Sequence, residues 1–136
     1  MRILVLALAG LLGLACGPAP LVVESVAAHA EGRSFSATLS GVESHFEAPL
    51  PGVVEFEVQF SYYVSMESAR AHLRIRQDSV DVPISLSGRA ARVWVAPQVP
   101  LRRRENYVLD VGAGIASDTT ERVGLSDAHL VNFTVQ

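Results

Sequence analysis

An all-β fold, a sandwich of two antiparallel sheets built from about seven or eight short strands, is what this sequence predicts. Three observations carry the prediction. Apolar and polar residues alternate with period two through most of the chain, turn-forming residues interrupt the alternation at short spacing, and no stretch sustains the apolar stripe of a helix.

The clearest strand is Val54-Glu55-Phe56-Glu57-Val58-Gln59-Phe60-Ser61, with four apolar side chains on one face and four polar ones on the other. That is the pattern of a strand with one face on a core and the other in water. Ala71, Leu73 and Ile75 alternate in the same way with His72, Arg74 and Arg76. Val80, Val82, Ile84 and Leu86 make a further strand. Pro83 within it has no N–H to give a ladder, so that strand is expected at a sheet edge or around a bulge. Val93 and Val95 flank Trp94, Tyr107, Leu109 and Val111 form the next alternating set, and Val131, Phe133 and Val135 form the last. Two more strands are expected upstream, around residues 21–27 and 35–39. Gly32-Arg33, Pro49-Leu50-Pro51-Gly52, Gln77-Asp78-Ser79, Ser87-Gly88 and Pro97-Gln98-Val99-Pro100 supply the turns. Ser65 caps one helical turn that reaches Arg70.

About twenty large apolar side chains face inward on this reading, each contributing roughly 1.5–3 kcal/mol when buried. The opposing conformational entropy is of similar total size. A chain of 136 residues therefore holds one domain that folds without a disulfide.

Much of the apolar share of 49% sits at the start of the chain. Met1-Arg2 precede an uncharged apolar run over residues 3–15, shorter than the roughly 20 residues a spanning helix needs. One positive residue, an apolar stretch and small residues at its end make a secretory signal peptide. The run stops at Cys16, the one cysteine of the chain, which has no disulfide partner. The segment Leu12-Gly13-Leu14-Ala15-Cys16 resembles a bacterial lipobox, with Gly13 where that pattern prefers Leu. The resemblance implies cleavage before Cys16, lipidation of its thiol and a membrane-anchored, exported product; ordinary cleavage after Ala15 is the alternative. Gly17-Pro18-Ala19-Pro20 follow as a stiff, extended spacer. Gly17, rather than Asp, after the cysteine implies the outer membrane in a cell that has one. The chain thus divides into a signal peptide over residues 1–15, a lipidated cysteine and spacer over 16–20, additional N-terminal strands or an arm over 21–42, and a sandwich domain over 43–136.

From about residue 43 onward the order of features resembles the SbsA-type bacterial immunoglobulin-like domain. Pro51-Gly52 precede a strand ending in Phe60-Ser61, Val64 opens the turn at residues 65–69, and Leu73 and Ile75 lie on the next strand. Pro97, Leu101 and Tyr107 fall in order, then Gly112-Ala113-Gly114-Ile115-Ala116-Ser117-Asp118, and finally Asn132-Phe133-Thr134. Tyr63 stands where the family favours Pro, and Asp118 lacks the Gly-Asn that commonly follows it. The resemblance implies an immunoglobulin-like β-sandwich displayed in a bacterial envelope. Independently of any family, Phe60 and Phe133 suit opposing core positions, and Tyr107 suits a buried ring whose hydroxyl bonds near the start of a strand. Gly112 and Gly114 suit backbone angles that other residues resist.

The sequence offers no constellation for catalysis, for a cofactor or for a metal. His29, His45, His72 and His129 are scattered without metal-ligand spacing. Glu55 and Glu57 share a strand's polar face without a partner base. Asp118, Glu121 and Asp127 fall short of the six or more oxygens that Ca²⁺ takes. All eleven basic residues are Arg, and they are scattered among fourteen carboxylates, which gives no footprint for nucleic acid. The run Arg102-Arg103-Arg104 is expected as a solvated turn, contact with lipid headgroups or acidic glycan being the other reading. Trp94, outward by its alternation with Val93 and Val95, is the candidate surface contact, together with Tyr62; packing of Trp94 under a neighbouring loop is the other reading. These observations lead to the expectation of a non-catalytic, membrane-anchored envelope lipoprotein with a structural, adhesive or docking role, whose partner is an envelope protein or a glycan. The alternatives are a glycan- or Ca-binding accessory domain and a piece of a larger exported surface protein.

Overall fold

The computed structural model describes residues 19–119 and 123–136, and the signal segment and Cys16 lie outside the described residues. Among the described residues, eleven strands form two sheets, accompanied by one helix. In chain order they are β1 (Val23–Ala30), β2 (Arg33–Ser36), β3 (Thr38–Ser40), β4 (Glu43–His45), β5 (Glu55–Phe60), α1 (Met66–His72), β6 (Leu73–Gln77), β7 (Val80–Val82), β8 (Ile84–Arg89), β9 (Arg92–Pro97), β10 (Asn106–Val111) and β11 (His129–Thr134). Sheet I has the order β2-β1-β5-β9-β8, and sheet II the order β3-β4-β11-β10-β6-β7. Every pair is antiparallel except β4 with β11, which is parallel. The succession β1-β5-β9-β8 against β6-β10-β11 is the A-B-E-D against C-F-G arrangement of the immunoglobulin fold.

The strands exceed the expected seven or eight because two apparent single strands each change sheet midway and because the short β4 forms where no strand is expected. Residues 35–39 divide between β2 in sheet I and β3 in sheet II, with Ala37 at the switch, where its N–H donates to the Val26 carbonyl at 2.9 Å. Residues 80–86 divide at Pro83, with β7 on the edge of sheet II and β8 on the edge of sheet I. Pro83 therefore makes no bulge within one strand: it sits at the crossover, where no ladder N–H is required, and its carbonyl accepts from Gln98 N at 2.8 Å. The helix is also longer than the single expected turn. Ala71 and His72 belong to α1 rather than to the following strand, and the cap is Ser65, whose hydroxyl accepts from Ser68 N.

Period-two alternation puts Val26 and Ala28 of β1, Phe56, Val58 and Phe60 of β5, and Val93 and Val95 of β9 on the inner face of sheet I. They meet Leu73, Ile75, Tyr107, Leu109, Val111, Val131 and Phe133 of sheet II. An aromatic column crosses the interface: the Phe56 ring lies 4.8 Å from that of Phe133, with Phe46 6.0 Å from Phe56 and Tyr107 5.7 Å from Phe133. The buried Tyr107 hydroxyl accepts from Arg102 N at 2.9 Å, which ties the start of β10 to the chain just upstream, as the tyrosine corner does in immunoglobulin domains.

The segment between β10 and β11 folds back over α1. Ala116 N donates to Ser68 Oγ at 2.9 Å, Ser65 N to Ala116 O at 2.9 Å, and Ile115 and Leu125 are buried beneath it. Gly112 is required here for close approach rather than for its backbone angle, since a Cβ would lie 2.3 Å from the His72 carbonyl oxygen that accepts the Gly112 N–H. Gly114, by contrast, has a φ of +106°, which only glycine adopts readily.

Removing the centre of the aromatic column by Phe56→Ala is expected to destabilise the domain by about 3–5 kcal/mol. Tyr107→Phe, which leaves the Arg102 N–H without its acceptor, is expected to cost about 1 kcal/mol. Urea titrations of the two variants check both values, with the midpoint falling and the slope unchanged.

Candidate functional site

Sheet I turns its polar side to solvent, and Trp94 is the one bulky apolar group there. Val93 and Val95 are fully buried while Trp94, between them, is partly exposed. Its backbone register places Glu57 of β5 on one side and Ser87 of β8 on the other. Continuing the row, Glu57 is opposite Ala27 of β1, which is opposite Ser36 of β2. The indole thus stands among small and polar neighbours on an otherwise flat face.

Glu57 is held from two directions. His29 Nε2 lies 3.2 Å from its Oε1, and Arg92 Nε lies 3.9 Å from its Oε2. A carboxylate only accepts, so Nε2 of His29 carries the proton toward it, and the ring's Nδ1 shares a 2.9 Å hydrogen bond with Ser34 Oγ. The chain Ser34–His29–Glu57–Arg92 runs over four strands and fixes the carboxylate beside the indole. Glu55 stands one pleat away on β5 and is exposed. The two glutamates share a face, as the sequence suggests, but Glu57 is engaged in this network.

Tyr62 is placed elsewhere. It follows the end of β5, with its ring 5.4 Å from that of Tyr63, so the two candidate contacts belong to different parts of the surface. The arginine run at residues 102–104 is exposed, forming the turn before β10 with Arg104 N bonded to Val135 O at 2.9 Å. It lies at the opposite end of the strands from Tyr62. Cys16 and Glu121 lie outside the described residues. Among the described residues, no three His, Cys, Asp or Glu side chains come together in a way that holds a metal ion.

Sequence reasoning missed one buried polar pair. His129, at the start of β11, is buried and shares a 2.5 Å hydrogen bond between its Nε2 and Ser44 Oγ on β4. These residues are 85 positions apart, and only the parallel pairing of β4 with β11 brings them together. His129 also lines a cleft of about 110 Å³ with Leu21, Val42, Leu125 and Asp127. Burial pushes its pKa below the ordinary 6.5.

No protein-family model matches this chain, and no curated protein matches it either. The immunoglobulin-like class of the domain rests on its topology and on the Tyr107 corner.

Because the fold accommodates neutral His129, the unfolded chain takes up that proton first as the pH falls through 6.5. Stability owed to this residue is complete above pH 6.5 and declines below it. Urea midpoints recorded between neutral pH and the range where carboxylates titrate, about pH 4, are expected to fall more steeply for the native chain than for His129→Gln.

Proposed function

We propose that this chain is a membrane-anchored, non-catalytic envelope lipoprotein, whose sandwich serves as a rigid structural and docking module. The observation that carries the reading is the join between tether and domain. Leu21, five positions after the lipobox cysteine, is already buried in the core. Ser61 N donates to Val22 O at 2.9 Å, and Val22 N to Ser61 Oγ at 3.0 Å. The chain is therefore held to the core from Leu21 onward, which suits a protein whose place is set by its first mature residue. Two or three acyl chains, at about 0.8 kcal/mol per buried methylene, hold such a domain on a bilayer almost permanently. Metabolic labelling with palmitate tests this: label is expected in the native chain and absent from Cys16→Ala, and an unlabelled native chain secreted into the medium contradicts it.

The Trp94 face favours a second reading, in which the docked partner is a glycan. A partly exposed indole offers a flat apolar platform with a polar edge. Beside it, the fixed Glu57 carboxylate and the Arg92 guanidinium supply an acceptor and donors for hydroxyl groups. Trp94 is the one tryptophan of the chain, so its fluorescence reports on this face directly. Titration with solubilised cell-wall fragments is expected to shift that emission saturably, and calorimetry is expected to register binding that Trp94→Ala abolishes without changing the urea midpoint. A silent emission and no heat would leave the face to a protein partner.

A further inference from the structure

The geometry points to the tether-side end of the sandwich as a surface that rests on the lipid headgroups, an inference that depends on acylation of Cys16. Four of the large apolar side chains left in water gather there: Val22, Val42, Tyr62 and Tyr63, exposed by 46%, 51%, 54% and 56%. Their proximity follows from the bonding. Val22 is hydrogen-bonded to Ser61, which immediately precedes the two tyrosines, and Val22 and Val42 line the same cleft. Tyr63 O accepts from Asp118 N at 2.8 Å, which fixes the tyrosine loop against the segment between β10 and β11.

The length of the tether selects the occupant. From Cys16 to the buried Leu21 there are five chain steps, a reach of about 18 Å at full extension. A thiol acylated at headgroup level keeps this end of the domain within about 18 Å of the membrane surface and turned toward it. The opposite end also exposes apolar groups, Val53, Val80 and Val99, but no aromatic ring, and it stands a strand length farther away. Tyrosine suits the boundary layer because its ring accepts an apolar neighbour while its hydroxyl stays hydrated. Exposed groups of both signs stand at this end, Arg89 in the turn that bonds to Phe60 and Val64, and Asp118 and Asp127 beyond the tyrosines. On zwitterionic lipid the contact therefore rests on its apolar and aromatic groups, and added salt leaves it in place.

The test uses the acylated full chain in vesicles of phosphatidylethanolamine with brominated phosphatidylcholine. In a Trp94→Phe background, Tyr62→Trp moves the sole indole to the proposed contact and Val99→Trp moves it to the far end; Tyr63→Trp serves as a second probe of the contact. Bromine quenching at position 62 or 63 is expected to exceed that at position 99 by about threefold or more and to survive high salt. Equal quenching at both ends, in protein that is acylated and sediments with the vesicles, overturns the contact while leaving the anchor intact. Protein that is never acylated overturns both. Shielding of positions 62 and 63 that requires an added envelope extract assigns the patch to a protein partner and overturns the lipid contact.

Discussion

The ring of Phe56 against that of Phe133, 4.8 Å apart across the two sheets, is the contact on which the rest of this molecule depends. Neither sheet is stable alone, because each carries one largely apolar face that must be removed from water. The aromatic column fixes how the faces meet, and β5 and β11, which carry these two phenylalanines, organise what surrounds them. β5 receives β1 and β9 on its flanks, and β11 receives β10 and the parallel strand β4. The single cysteine supplies no disulfide between the sheets, so packing and the Tyr107 hydrogen bond do that work.

With the core fixed, the surfaces acquire definite places. Trp94 looks sideways from the middle of sheet I, His129 is sealed beneath β4 and the cleft that Leu21 also lines, and residues 102–104 form the end remote from residue 19. An anchor before residue 19 therefore does not bring the arginine run to the lipid it is attached to. The run faces outward, which favours the solvated-turn reading of it. The tether-side end, with its tyrosines and valines, is the part of the domain nearest any membrane that holds Cys16.

Much of the fold was legible in the sequence because burial on one face of a strand leaves a period-two trace. Residues 54–61, 93–95, 107–111 and 131–135 show it, and their inward members are the buried ones. What periodicity does not record is which sheet a strand joins. At Ala37 and Pro83 the alternation continues almost unbroken while the chain crosses from one sheet to the other. Ala71 fell on the wrong side of a boundary because its spacing to Leu73 and Ile75 imitates a strand, whereas the Ser65 cap carries the helix through to His72. The site was legible in part. Trp94 could be placed on an outer face by its neighbours alone, but its link to Glu57, His29 and Arg92 needs cross-strand register. The Ser44–His129 pair and the patch of Val22, Val42, Tyr62 and Tyr63 join positions that only the folded topology brings together.

The central claim is that the chain from Leu21 onward belongs to one cooperative core. Native-state hydrogen exchange measures this most directly, through the amides of Val26 and Ala28 on β1 compared with those of Phe56 and Val58 on β5. The account predicts that all four exchange only by global unfolding, with the same free energy and the same denaturant dependence. Exchange of the β1 amides at a markedly lower free energy, while β5 stays protected, would contradict it, because β1 would then fray apart from the core to which it leads the chain.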